Sequence, residues 1–255
     1  MIKRILLIVI LLIISSGLSG QPITGIVTYQ QISKLDFDTV FDEQGMNAIT
    51  EYFGGDVPES KKQQKRLFFT ETASLFENDP RGEATDVRIQ NVQMRMDMMR
   101  PPRPKLEKVY FDFTKEQKIE QVEFMTRHFR IVDEINKPAW KLTDKSTKIL
   151  DYTCMGAELK KGEDVFVAYF TPEIPVSLGP DEFVGLPGLV LAVEKNGETV
   201  YLATSVSLDA LEEDAVAEPQ DGQKVTQDEF DEIVKEKVME YEGTRRHPQR
   251  GTDRR

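Results

Sequence analysis

The sequence predicts a mainly β (α+β) fold, an antiparallel curved sheet shaped as a half-barrel or open barrel with a few peripheral helices. Three observations support this prediction. From Val109 onward, short runs of β-branched and aromatic residues follow one another closely, which favours hairpins over the long crossovers of a parallel sheet. The dipeptide Asn196-Gly197 between two apolar runs is a strong hairpin signal. Apolar residues at helical spacing occur mainly in two stretches, 41–53 and 226–241.

The predicted strands follow one another along most of the chain. Ile23 to Ser33 is rich in β-branched residues and predicts the first strand. Lys65 to Glu77 predicts a single second strand, and the proline-containing stretch 100–105 cannot be part of a central strand. Further strands are predicted at 109–113, 118–125, 129–135, from 140, at 149–157, 165–170, 189–194 and 200–206.

The two predicted helices have recognisable ends. The first, Phe41 to Phe53, is followed by the glycine pair at 54 and 55, as is common at helix C-termini. The second begins at Thr226, and Glu229 lies three residues further on, as in a capping box. Both helices should lie at the periphery of the sheet.

A tight turn is predicted at residues 186–189. Pro187 and Gly188 would occupy its two central positions, where a type II turn needs a fixed negative φ and then a positive φ. The structural signature Gly185, Leu186, Pro187, Gly188, Leu189 is therefore interpreted as a rigid turn that starts the hairpin, and a role in contacting a ligand is the alternative.

With Val190, this signature forms the string GLPGLV, and the chain resembles the GLPGLI family of exported Bacteroidetes proteins. The resemblance extends over residues 23–240 and is densest over 117–206. Further segments that match are Trp140-Lys141, Ile149–Ala157, Tyr169–Val176 and Gly179-Pro180. The resemblance implies an exported, mainly β protein and implies no particular activity.

The first 20 residues are typical of a signal peptide. Lys3 and Arg4 precede an apolar run from Ile5 to Ile14, which is followed by small and polar residues. The apolar run is too short for a membrane-spanning helix. We therefore expect a signal peptide at 1–20, a single β-rich domain at 21–242, a disordered basic tail at 243–255, no stable membrane span after signal cleavage, and a location in the periplasm or outside the cell.

The composition limits the partners and the covalent framework. The net charge of −11 opposes binding to nucleic acid. Cys154 is the only cysteine, so the chain cannot form an internal disulfide. We expect Cys154 to be a small buried strand residue, and an intermolecular disulfide is the alternative.

Few residues indicate catalytic chemistry. Only His128 and His247 are available as imidazole bases, and no G-x-S-x-G elbow or H-E-x-x-H zinc helix is present. His128 lies in a strand-like run and is expected to be half-exposed. A hydrolase that uses paired carboxylates stays open as an alternative, because the 44 acidic residues make such pairs uninformative.

A methionine-rich segment suggests one metal site. If 94–99 were extended, Met94, Met96 and Met98 would point to one side. Three thioethers could then bind Cu(I), with His128 or Met125 nearby. The alternative is that these methionines fill an irregular apolar contact.

The function expected from the sequence is that of a non-enzymatic envelope protein without a cofactor. It would bind a partner protein or an apolar small ligand in the concavity of the sheet. The alternatives are a Cu(I)-binding envelope protein and the carboxylate hydrolase.

Overall fold

The computed structural model describes residues 23–82, 86–212 and 214–246, with the side chains of 245 and 246 left out. The predicted signal peptide and the tail residues 247–255 lie outside the described residues. The last helix of the chain extends from Gln227 to Arg246 and so includes the first four residues of the predicted tail.

The described residues form one open, curved sheet of twelve strands with helices packed around it, as the sequence predicted. The first six strands are β1 (Gly25–Lys34), β2 (Ser60–Phe69), β3 (Ala73–Asn78), β4 (Lys105–Asp112), β5 (Gln117–Phe124) and β6 (Arg127–Glu134). The other six are β7 (Lys141–Ile149), β8 (Tyr152–Lys161), β9 (Asp164–Thr171), β10 (Leu189–Lys195), β11 (Glu198–Ser207) and β12 (Gln223–Val225).

The spatial order is β12-β6-β5-β4-β3-β2-β1-β11-β10-β9-β8-β7. Strands β1 to β6 form one antiparallel meander and β7 to β11 form another, and the pairing of β1 with β11 joins them. Among the strands of the described residues, only β12 pairs in parallel, with β6. The predicted single strand at 65–77 is wrong, because residues 70–72 form a tight turn in which Thr70 N donates to Ala73 O and β2 pairs with β3.

Three α-helices accompany the sheet in the described chain: α1 (Glu43–Phe53), α2 (Val87–Met99) and α3 (Gln227–Arg246). The capping box at the start of α3 is confirmed. Thr226 N donates to Glu229 Oε2 at 2.8 Å, and Glu229 N donates to Thr226 Oγ1 at 3.3 Å. No helix within the described ranges is both long and apolar enough to cross a lipid bilayer.

The main core lies on one face of the sheet, here named the core face, which bears Val27, Tyr29, Leu67 and Phe76. The segment 172–188 packs onto this face. Its buried side chains are those of Ile174, Leu178, Phe183, Val184 and Leu186. Helix α3 covers the other end of the same face, where Phe230 contacts Phe124 and Phe129.

The opposite face of the sheet has a smaller apolar cluster formed by Leu75, Tyr110 and Ile119. The acidic segment 208–222 covers part of it through Val216. Arg130 fixes this segment by donating from Nη1 to Pro219 O at 3.2 Å and to Gln220 Oε1 at 3.0 Å.

Candidate functional site

The GLPGLV signature (residues 185–190) connects the segment 172–188, here named the core-face segment, to the sheet. Gly185 N donates to Ser177 O at 3.1 Å, and Val190 N donates to Leu178 O at 2.8 Å. The buried Tyr29 hydroxyl donates to Val190 O at 2.6 Å and so joins β1 to β10. These contacts join the signature to the sheet.

The predicted type II turn is wrong. Gly188 N donates to Leu186 O at 2.8 Å, which closes a three-residue turn around Pro187. The positive φ occurs at Gly185, with a value of 91°, and not at Gly188. Gly188 is instead required by space, because a Cβ atom there would lie 2.6 Å from the carbonyl carbon of Thr171 and would collide with its oxygen.

A groove of about 960 Å³ opens beside this segment. Strands β1 and β11 form its floor, and the hairpin end of β10 and the residues 181–183 form its sides. The side chains that give the groove its chemistry are those of Gln31, Phe166, Asp181, Glu182, Phe183 and Tyr201. The groove is therefore lined by both aromatic and acidic groups.

Asp181 is an acid of the groove whose pKa is clearly raised. Its backbone has a φ of 57°, in the left-handed region that Asp and Asn adopt more readily than most residues. The residue is half-buried at the side of the groove, and Oδ2 accepts a hydrogen bond from the Tyr201 hydroxyl at 3.2 Å. Burial, with the negative charges of Glu182 and Glu120, raises the pKa of Asp181 to about 6.

The groups around Asp181 form a small polar cluster on the core face. The Tyr201 hydroxyl accepts from Gln31 Nε2 at 3.1 Å while it donates to Asp181. Lys65 is buried and close enough for its charge to act on Asp181, and its own pKa is lowered chiefly by burial. Burial likewise raises the pKa of Tyr201 far above its usual value. The phenol therefore stays protonated and acts as a donor.

An aromatic wall borders this cluster. Phe166 and Phe183 have ring centroids 5.4 Å apart, and Phe183 lies 6.2 Å from the ring of Tyr201. The ammonium group of Lys195 lies 5.8 Å from the Phe166 centroid and 2.8 Å from Asp164 Oδ2. The wall thus already contacts a cation of the protein itself.

A second groove, of about 950 Å³, lies on the opposite face beneath the acidic segment. Its lining includes Arg66, Glu77 and Lys108, whose charges compensate one another. The carboxylate of Glu77 lies 3.6 Å from Arg66 Nη2 and 3.1 Å from Lys108 Nζ. His128 lies on this face, where its Nδ1 is 3.1 Å from Glu107 Oε2. His128 is partly exposed, as expected, and is separated from Asp181 by the sheet.

The structure does not bring together the three methionines proposed as copper ligands. They lie on α2, not on an extended segment as assumed, and residues two apart point to different sides of a helix. Met96 is buried against α1, whereas Met94 and Met98 are exposed. The geometry assumed for the copper site is therefore wrong. Within the described ranges, no group of three or more His, Cys, Asp or Glu side chains is arranged to hold a metal ion.

The sequence did not identify Asp181, Tyr201 or Lys65. Each is one of many residues of its type in the chain, and they come from β2, β11 and the core-face segment. A weak signal existed for Asp181, because it follows Gly179-Pro180 just before the signature. The prediction that Cys154 is a small buried strand residue is confirmed, since it is fully buried and its thiol is free.

Comparison with known proteins supports the fold and leaves the activity open. The model of a family described as "Protein of unknown function (Porph_ging)" matches residues 158–192, which include Asp181 and the signature. No curated protein shows significant similarity to the chain.

The fold is similar to part of PNGF-II, as seen in its P21 and C2 crystal forms. The TM-scores are 0.53 and 0.51, with 17% sequence identity in both cases. The alignments cover 84% of this chain but only 34% and 33% of PNGF-II, so the chain spans about a third of that protein's length. At this identity the likeness is one of fold alone.

Proposed function

We propose that the protein is an exported, non-enzymatic binding protein whose small ligand lies in the groove beside Asp181. The observation that supports this most directly is the hydrogen bond from Tyr201 to the half-buried Asp181 carboxyl at the edge of an aromatic wall. Apolar side walls with a few fixed polar groups are typical of small-molecule sites. An acid with a raised pKa in such a groove is a further indicator of function.

The groove favours a ligand with both an apolar and a polar part. The purely apolar area of the core face is already occupied by the packed side chains of 172–188, so an entirely apolar ligand would find little open surface there. Phe166 and Phe183 can contact an apolar part, while Asp181 and Gln31 can bind a polar group. A hydrolase with a histidine base at this groove is disfavoured, because His128 lies on the other face of the sheet.

The experiment is native purification from the host envelope followed by mass spectrometry of the intact complex. A single small molecule should remain bound to the wild type. Ser33→Trp should abolish its retention, because Ser33 is exposed at the groove and a tryptophan would fill it. Ser205→Trp is the matched control, since Ser205 is an exposed strand residue outside the groove. Equal retention by both variants would place the ligand elsewhere and refute the proposal.

A further inference from the structure

The charges of the groove are unequal. Four acids line it, Glu59, Asp181, Glu182 and Glu198, against two bases, Lys34 and Lys195. Both bases are already engaged, because Lys34 lies 3.7 Å from Glu198 and Lys195 lies 2.8 Å from Asp164. A ligand that enters the groove therefore meets excess negative charge.

Asp181 is less exposed than Glu59 and Glu198, and within the described residues it has no salt-bridge partner. Glu182 has an ion-pair partner in Lys161, and Glu120, which acts on Asp181 from β5, is paired with Lys118 at 3.0 Å. The carboxyl of Asp181 accepts a hydrogen bond from one neutral donor, the Tyr201 hydroxyl, and the charge of Lys65 acts on it only at longer range. An ammonium group bound beside Asp181 would supply the missing counter-charge.

The aromatic wall provides the second, independent observation. Lys195 already holds an alkylammonium group over Phe166, and the adjoining ring of Phe183 lies between Phe166 and Tyr201. Aromatic faces attract ammonium groups, more strongly where water is excluded. The wall can thus contact both the alkyl chain and the charged end of an amine.

We propose that the groove selects an alkylammonium group, which binds with its charge at Asp181 and its alkyl part against Phe183. This rests on the proposed binding function and names the chemistry of its ligand. A free amine and a lysine side chain of a peptide present the same group, so the test must distinguish these two sources.

The test compares three ligands of equal length, hexylammonium, 1-hexanol and hexanoate, by titration followed through the methyl NMR signals of Val200, which lines the groove. Hexylammonium should bind the wild type about tenfold more tightly than hexanol, and hexanoate should bind least. Asp181→Asn should remove the advantage of the amine, so that hexylammonium binds no more tightly than hexanol to this variant. Asp133→Asn is the matched control, an exposed residue on β6 far from the groove in the sheet order.

A pH series gives a second readout. Amine affinity should fall as the pH drops below about 6, because Asp181 becomes protonated while the ligand keeps its charge. The titratable groups that act on Asp181 are Glu182, Glu120, Tyr201 and Lys65, and Lys65→Met tests whether the lysine competes with the ligand. Tighter amine binding by Lys65→Met would support the proposal.

The outcomes separate this inference from the binding function. Equal affinity for amine and alcohol, blocked by Ser33→Trp, would overturn the selection of ammonium and leave the binding function standing. Failure of all three ligands to bind, together with no retained molecule in native mass spectrometry, would overturn both. A further titration with Nα-acetyl-lysine amide distinguishes the two sources of the ammonium group. If this compound binds at least as tightly as hexylammonium, the ligand is a peptide lysine. If it binds more weakly, the ligand is a free amine.

Discussion

Tyr29 and Val190 are joined by a hydrogen bond of 2.6 Å from the phenol to the carbonyl oxygen, although they are 161 residues apart in sequence. Both residues are fully buried. The bond links β1, in the first meander, to the last residue of the GLPGLV string in the second. The signature is thus fixed to the sheet by a side chain as well as by its own backbone.

Tyr29→Phe should lower the free energy of unfolding by about 1–2 kcal/mol, because it removes the donor and leaves the buried Val190 carbonyl with one partner fewer. Denaturant unfolding measures the change. Tyr110→Phe is the control: it is also a buried tyrosine, and among the described residues its hydroxyl has no hydrogen-bond partner. Equal effects of the two variants would show that the bond to Val190 contributes nothing specific.

Gly188→Ala should destabilise the protein by about 3 kcal/mol, since the added Cβ atom has to displace the backbone at Thr171. Gly54→Ala is the comparison. Gly54 has a φ of 71° and open space around it, so only the strain of a positive φ applies there, at about 1 kcal/mol. Melting curves of the two variants would contradict the close-approach explanation if Gly54→Ala proved the more harmful.

Local sequence signals predicted the elements that depend on local geometry. The hairpin between β10 and β11 is confirmed, with Asn196 and Gly197 at φ values of 52° and 85°, as a type I′ turn requires. The capping box of α3 is a contact between residues three apart, so its spacing is visible in the sequence.

Other features depended on contacts that the sequence does not show. Helix α2 was not predicted because only Val92 and Met96 of its residues are buried, which leaves the apolar pattern weak. The turn at Pro187 was assigned the wrong type, because the glycine requirement at 188 comes from Thr171, on the neighbouring strand. The pair of Asp181 and Tyr201 forms only when β11 lies beside the core-face segment.

Cys154 should not react with iodoacetamide in the folded protein. Its thiol is fully buried, and burial raises its pKa to about 11, so little thiolate is present at neutral pH. Intact-mass measurement should show one adduct only after unfolding in urea. Ser205→Cys in a Cys154→Ser background gives an exposed thiol for comparison and should label rapidly. Rapid labelling of folded wild type would mean that β8 opens readily or that the burial is incomplete.

Asp181→Asn should stabilise the protein at pH 7 while it removes the preference for amines. The folded pKa of Asp181, about 6, lies above its usual value of 3.8. Between pH 3.8 and about pH 6, the Asp181 carboxyl is protonated in the folded state and ionised in the unfolded state. The free energy of unfolding of the wild type therefore falls as the pH rises from 4 to 6, and it stays lowered above 6.

Asparagine carries no charge and therefore avoids the cost of ionising a carboxyl at this position. Its side-chain oxygen can still accept a hydrogen bond from Tyr201, and asparagine tolerates the left-handed backbone there. The variant should therefore gain about 2 kcal/mol at pH 7, given about 1.4 kcal/mol for each unit of pKa shift and some solvent in the groove. Urea unfolding at pH 4 and pH 7 measures this, and Asp133→Asn should show no such difference. A gain that is larger at pH 4 than at pH 7 would mean that Asp181 is stabilised as the anion, and the excess negative charge inferred for the groove would then be absent.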